Sequence, residues 1–363
     1  MITTAWAATR KGLFELRHDP AFPASGGWSI GRHSFVGDPV SMVLPPPPAG
    51  GRMFAALNLG HFGVKLQGSD DGGATWRELP APAFPEQPEG AEGPAWKLQQ
   101  IWSLERGGDG RLWAGTIPGA LFVSADHGET WQLVDALWHK PERLGWFGGG
   151  YDAPGIHSIN VDPRDPRRLL LGISCGGAWR SDDGGASWRI SAQGMRADFM
   201  PPEQQGEENT QDPHRIVASA ADPDVLWCQH HNGVWRSVDG GAHWGEIKPP
   251  LSGFGFAVAA HAGDAATAWF VPGVKDEKRL PVDGALVVNR TRDGGKTFET
   301  LRQGLPQSHC YDLVYRHGLA AHDDGQRLLM GSTTGNLWAT DDAGDRWQLV
   351  SAHLPPIYAL RFG

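Results

Sequence analysis

Four histidines offer the most direct chemistry in this sequence: His157, His214, His230 and His231. His157 and His214 fall at matching places in two neighbouring repeats, each at the head of a strand that follows a long loop. His230 and His231 belong to the turn Gln229-His230-His231-Asn232, and His61 occupies a comparable turn nearer the N-terminus. An imidazole titrates near neutrality, so it can pass a proton, and its neutral form binds transition metals. Four imidazoles with Asp or Glu partners could therefore hold a divalent metal. None of them has the i, i+4 or CxxC spacing that marks a metal motif by itself. General acid–base work, hydrogen bonding to a substrate and purely structural histidines are the other readings.

Long segments adjoin these histidines. Residues 136–156, ALWHKPERLGWFGGGYDAPGI, bring Trp138, Arg143, Trp146, Tyr151 and Asp152. Residues 191–213, SAQGMRADFMPPEQQGEENTQDP, bring Arg196, Glu207, Glu208 and Asp212, and a third insertion at 271–284 carries Arg279. Segments of this length in a compact fold are more often functional than neutral. Glycoside hydrolysis needs two carboxyl groups flanking the bond, or a tyrosine nucleophile in one exceptional class. Asp152, Glu207, Glu208 and Asp212 are candidate carboxyls, Tyr151 stands beside Asp152, and His157, His214, His230 and His231 would share the acid–base work with Asp152. Trp138 and Trp146 suit stacking on sugar rings; Arg143, Arg196 and Arg279 suit an anionic substituent, and His61 could add a hydrogen bond. Acidic loop residues that are merely solvated are the plainer alternative.

These residues must be positioned by a repeat. The phrase SDDGGASW at 181–188 recurs as SDDGGATW (69–76), SADHGETW (124–131), SVDGGAHW (237–244), TRDGGKTF (291–298) and TDDAGDRW (340–347). A period of about fifty residues points to a propeller or array. In 157–190, each copy of the phrase follows a third short strand and opens a fourth, and four antiparallel strands make one blade. Within the phrase the aspartate can accept backbone amides of its own turn, glycine allows positive φ, and the closing tryptophan buries a large ring between sheets. Six blades fall near 40–80, 97–135, 157–191, 214–248, 256–302 and 311–351. A seventh, without the phrase, combines residues 4–8, 12–16 and 28–30 with the C-terminal stretch 356–362 as its innermost strand. Closure of that kind leaves no free sheet edge. The phrase turns lie on one face, and the long loops gather over the central channel on the other.

The phrase resembles the Asp-box, or BNR repeat, of the sialidase-like β-propeller superfamily, whose pattern is Ser/Thr-x-Asp-x-Gly-x-Thr-Trp and which includes bacterial WD40/YVTN/BNR-like repeat proteins. Five of six copies close on tryptophan, with departures at Ser187, His243 and Arg346. The resemblance covers the whole chain and implies an all-β, seven-bladed propeller filling 1–363 as a single domain. For activity it implies less, because such boxes recur in sialidases, xyloglucan hydrolases, sorting receptors and photosystem assembly factors. Sialidases carry an early Arg-Ile-Pro motif that this chain lacks, so strict sialidase activity is not expected. Gly172-Ile173-Ser174-Cys175-Gly176 imitates a nucleophile elbow, but an elbow joins a strand to a helix and here both flanks read as strands.

Composition sets the remaining bounds. A net charge of -9 argues against nucleic acid and against an anionic membrane as partners. Fifty glycines and 28 prolines suit many short strands and turns. Three widely spaced cysteines and no charged leader before an apolar run fit a reduced, cytoplasmic setting. The expected partner is a small-molecule or carbohydrate ligand bound on the long-loop face, handled by a glycoside hydrolase-type or other small-ligand enzyme. A metal-dependent enzyme built on the histidines and a non-enzymatic binding or assembly propeller are the competing readings.

Overall fold

The computed structural model describes residues 3–21, 27–149 and 151–363. Met1 and Ile2 of the N-terminal stretch, and Gly150 of the first long loop, lie outside the described residues. Seven four-stranded antiparallel sheets form a propeller. The first is closed as expected: Ile357–Phe362 pairs antiparallel with Thr3–Thr9, which leads to Gly12–His18 and Trp28–Ser34. The other innermost strands are Val40–Leu44, Gln100–Arg106, Ile156–Val161, Pro213–Ala218, Gly255–Ala260 and Leu319–Ala321. Packing between blades is dominated by aromatic rings, with Trp113, Trp179, Trp227, Trp269 and Trp347 nearly or wholly buried. Among the described residues no helix is long and apolar enough to cross a membrane.

Each Asp-box turn joins the third strand of its blade to the fourth, and its bonds repeat from copy to copy. In blade 4, Ser187 donates to Asp183 through its amide at 2.9 Å and its hydroxyl at 2.6 Å, while Ser181 Oγ donates at 2.8 Å. Gly185, at φ 90°, has its amide on Ser181 Oγ at 2.9 Å. His243 replaces the usual hydroxyl in blade 5 and reaches Asp239 with Nδ1 at 2.7 Å. The closing rings are buried at Trp188, Trp244 and Trp347 and half-buried at Trp76, Trp131 and Phe298.

Two departures from the expected boundaries shape the channel. The innermost strand of blade 7 begins at Leu319, not near 311, and the irregular stretch before it brings Arg316 and His317 to the axis. A single parallel bridge, His317 to Ala359, holds that stretch against the closing strand. Moreover, five innermost strands shift register near their starts, between Val40/Met42, Ile101/Ser103, Ile156/Ser158, Pro213/Arg215 and Gly255/Val258. A bulge leaves one residue unpaired and re-aims its side chain. The residues so placed include Ser41, Trp102, His157, His214 and Phe256.

Candidate functional site

A cavity of about 690 Å³ opens at the end of the channel opposite the Asp-boxes. Such a volume is typical of small-molecule sites. Its wall takes residues from the bulged positions (Ser41, Trp102, Phe256), from the stretch before blade 7 (Tyr315, Arg316, His317) and from the closing strand (Tyr358). Tyr151 and Gly149 of the first long loop and Arg279 of the third insertion complete it. Three of the four tyrosines of the chain therefore face one space. Asp38 at the rim is the single carboxylate among the described lining residues.

The charge in this wall is poorly compensated. Arg316 is 8% exposed, its Nε has no hydrogen-bond partner, and no carboxylate pairs with it directly among the described residues. Its guanidinium lies 4.7 Å from the Trp102 ring and 5.3 Å from Phe256. Burial lowers its basicity, with Asp212 as the leading opposing charge. Arg279 by contrast is paired with Asp276, at 2.6 Å, and its guanidinium lies 5.3 Å from the Phe256 ring. His317 is buried with both ring nitrogens unpartnered, and burial, then Arg215 and Arg361, hold it well below its ordinary pKa. An unpaired buried polar group costs about 1–3 kcal/mol. Such groups gathered on one wall mark a place for a ligand.

Behind the wall lies a second cluster. Asp212 Oδ2 stands 3.3 Å from His214 Nε2 and 3.3 Å from His231 Nδ1. Its other oxygen accepts the Cys175 amide at 3.1 Å. His214 stacks on Phe256, centroids 4.3 Å apart, so the cluster and the cavity share that ring. Burial depresses the pKa of His214, opposed by Asp212, whereas Asp212 is held far below the carboxylate range by His214, His231 and Arg316 against its own burial. Gly149 passes over this carboxylate: a Cβ there would lie 2.7 Å from Ser174 Oγ and 3.3 Å from Asp212 Oδ2. Glycine at position 149 is thus needed for close approach.

The structure distributes the expected site residues unevenly. Tyr151 and Arg279 line the cavity, and His214 and His231 meet at Asp212. His157 is buried beside them, its Nδ1 2.9 Å from Ser158 Oγ, its Nε2 unpartnered and its ring 5.4 Å from Trp102. His230 turns away: its nitrogens face the backbone amides of Asp212 and Asn232, and its ring packs on Trp235. Trp138 is buried in the core beneath Arg143, whose guanidinium lies 3.6 Å from its ring and whose Nε donates to the Trp138 carbonyl, so both serve packing away from the cavity. Trp146 is likewise buried, with its indole N–H on Asn209 at 2.9 Å and its ring against Trp179. Arg196 is exposed and paired with Asp198 at 2.7 Å. Asp152, Glu207 and His61 are exposed and are not part of the cavity wall. Ser174 sits in a strand-to-strand turn, so it is no elbow nucleophile. Trp102, Arg316, His317 and Tyr358 are the wall residues that the loops gave no reason to single out. Aligning the starts of the innermost strands, where His157, His214, Phe256 and Tyr358 stand second and Trp102 third, was the signal that could have found Trp102 and Tyr358.

Comparisons with known proteins agree with the architecture. The BNR/Asp-box repeat family matches residues 122–133. A xyloglucanase from Paenibacillus sp is 23% identical over 287 residues, 65% of this chain and 26% of that protein. The chain thus spans about a quarter of the length of this relative. Among solved structures, an ancestral GH74 enzyme superposes with a TM-score of 0.60 at 13% identity, covering 89% of this chain and 38% of the other. YCF48 from Cyanidioschyzon merolae superposes with a TM-score of 0.53 at 13% identity, covering 87% of each chain. These structural likenesses show the fold, and the sequence relationship is a distant one to glycoside hydrolase propellers.

Proposed function

We propose that this chain, a seven-bladed β-propeller of the Asp-box (BNR-repeat) type, takes a small anionic carbohydrate-type ligand into the cavity at the loop end of its channel. The observation that carries the reading is Arg316, buried and without a carboxylate partner, facing a space walled by Trp102, Tyr151, Tyr315 and Tyr358. Aromatic faces suit the apolar faces of a sugar ring, tyrosine hydroxyls suit its hydroxyls, and a guanidinium fork suits a carboxylate or phosphate. The distant relationship to xyloglucanases supports a carbohydrate as the ligand class. The wall itself favours an acidic sugar over cleavage of a neutral polymer, because the usual hydrolytic route needs two carboxyl groups across the bond and only Asp38 is offered by the described lining residues.

Titration calorimetry with uronic acids, aldonic acids, sugar phosphates and neutral xyloglucan oligosaccharides tests this. An acidic monosaccharide is expected to bind, and Arg316→Gln to weaken it about 10- to 100-fold, the worth of a charge-assisted hydrogen bond. Binding of neutral oligosaccharides alone, unchanged in Arg316→Gln, would overturn the reading.

A further inference from the structure

The Asp212 cluster contains an arrangement that protein atoms alone leave unresolved. His214 Nδ1 lies 2.6 Å from the Gly255 carbonyl oxygen, a short bond that only an N–H can make. In the neutral ring, Nε2 then carries a lone pair, and it points at Asp212 Oδ2 from 3.3 Å. His231 Nδ1 approaches the same oxygen from 3.3 Å. Two facing lone pairs repel unless a cation lies between them.

Three observations say which cation. The donor atoms of Asp212, His214 and His231 all fall within 4.8 Å of one another. Ligands held at about 2.0–2.2 Å from one ion stand roughly 3 Å apart, close to the two 3.3 Å separations here. Second, the carbonyl behind His214 fixes its tautomer and its ring plane, and Phe256 stacked on it locks the rotation, which is the outer support that metal-bound histidines show. The Asp212 carboxylate has matching support from the Cys175 amide. Third, access is one-sided: Asp212 and His214 are 1% exposed, but the His231 side chain retains 22%. An ion held there would keep open positions on the His231 side, between the Phe199 and Phe254 rings that flank it.

We propose that Asp212, His214 and His231 form a mononuclear site for a divalent first-row transition metal, with two imidazoles and one carboxylate as its protein ligands. Mixed nitrogen and oxygen donors suit zinc, iron(II), manganese or cobalt, and exclude calcium and magnesium as preferred occupants. One carboxylate leaves such an ion with net positive charge, so water or an anionic ligand completes its shell. The site does not depend on the reading of the cavity: it could be filled whether or not an acidic sugar binds beside it.

The test uses the untagged 363-residue chain, stripped with a chelator and titrated with cobalt(II), whose visible absorption reports coordination. About one equivalent per chain is expected to bind. His231→Ala, chosen because this ring is the most exposed of the three, is expected to fold and to weaken cobalt binding about 100-fold or more, beyond the loss that removing an outer support causes. His61→Ala is the control and should leave binding unchanged. A wild-type protein that binds no cobalt would show that a proton bridges His214 and Asp212, and would overturn the proposal. Full affinity retained in a folded His231→Ala would overturn it equally.

Discussion

The two ends of the ring treat polar groups in opposite ways. At the Asp-box end, the third-position aspartate of each turn is satisfied within its own eight residues: Asp183 is served by Ser181 and Ser187, Asp126 by Ser124 and Thr130, Asp293 by Thr291 and Thr297. At the loop end, Arg316 Nε, His157 Nε2 and both nitrogens of His317 are buried without partners. Both ends are built from short strands and turns, so secondary structure does not make the difference. Locality does. A turn that satisfies itself is a fold element, and a wall that leaves donors unsatisfied has kept them for something else.

Three experiments break or sharpen that contrast. The largest effect is expected at a stapling ring: Trp188→Ala should cost about 3–5 kcal/mol of stability, as for other buried tryptophans, read by denaturant unfolding, while ligand affinity of the folded fraction stays unchanged. If affinity fell with stability, the two ends would not be separable. The opposite behaviour is expected at the cavity, where Arg316→Met should leave the protein as stable as before or more stable by about 1 kcal/mol, because an uncompensated buried charge is replaced by a packed apolar chain. A loss of several kcal/mol would instead make Arg316 part of the scaffold.

The smallest effect is on acid stability. Hydrogen bonds from Thr130, Ser187 and Thr297 hold Asp126, Asp183 and Asp293 at about 2, below the ordinary 3.8. Since these folded values are depressed, the unfolded chain binds protons first on acidification. The stabilisation is therefore complete above about pH 4 and is lost as pH falls from there toward 2. Melting temperature should be flat from neutrality to that point and decline below it, and the triple variant Asp126→Asn, Asp183→Asn, Asp293→Asn should flatten the decline. An unaltered decline in the triple variant would assign acid sensitivity to the loop end.

How much could be read in advance differed between these ends for the same reason. Ser181, Asp183, Gly185 and Trp188 interact within a few residues of one another, so their spacing in the chain is their spacing in space. The Asp-box face, the blades and the closure by Ile357–Phe362 were accordingly legible. His214 was legible as a candidate because it matches His157 at the head of a strand after a long loop, and His231 because it falls in a strand-to-strand turn comparable with that of His61. Trp138, Arg143 and Trp146 looked equally eligible, and a sequence does not say whether a loop tryptophan points at a ligand or at the core; the short helix Asp135–Trp138 and the 3-10 turn Pro141–Gly145 after it bury all three.

What the sequence determined by itself was the repeat and everything local to it: seven blades, the staple, the face that the long loops occupy. Tertiary structure alone decided that Asp212 meets His214 and His231, that Arg316 reaches the cavity from an irregular stretch with no repeat partner, and that five bulges aim side chains near the channel. The cluster joins a long loop to a strand and a turn of one blade, the cavity wall joins residues from several blades, and a side chain on a bulge is oriented by the pairing of its neighbours. The packing of strands and loops at the channel mouth brings them together, and no spacing along the chain encodes those contacts.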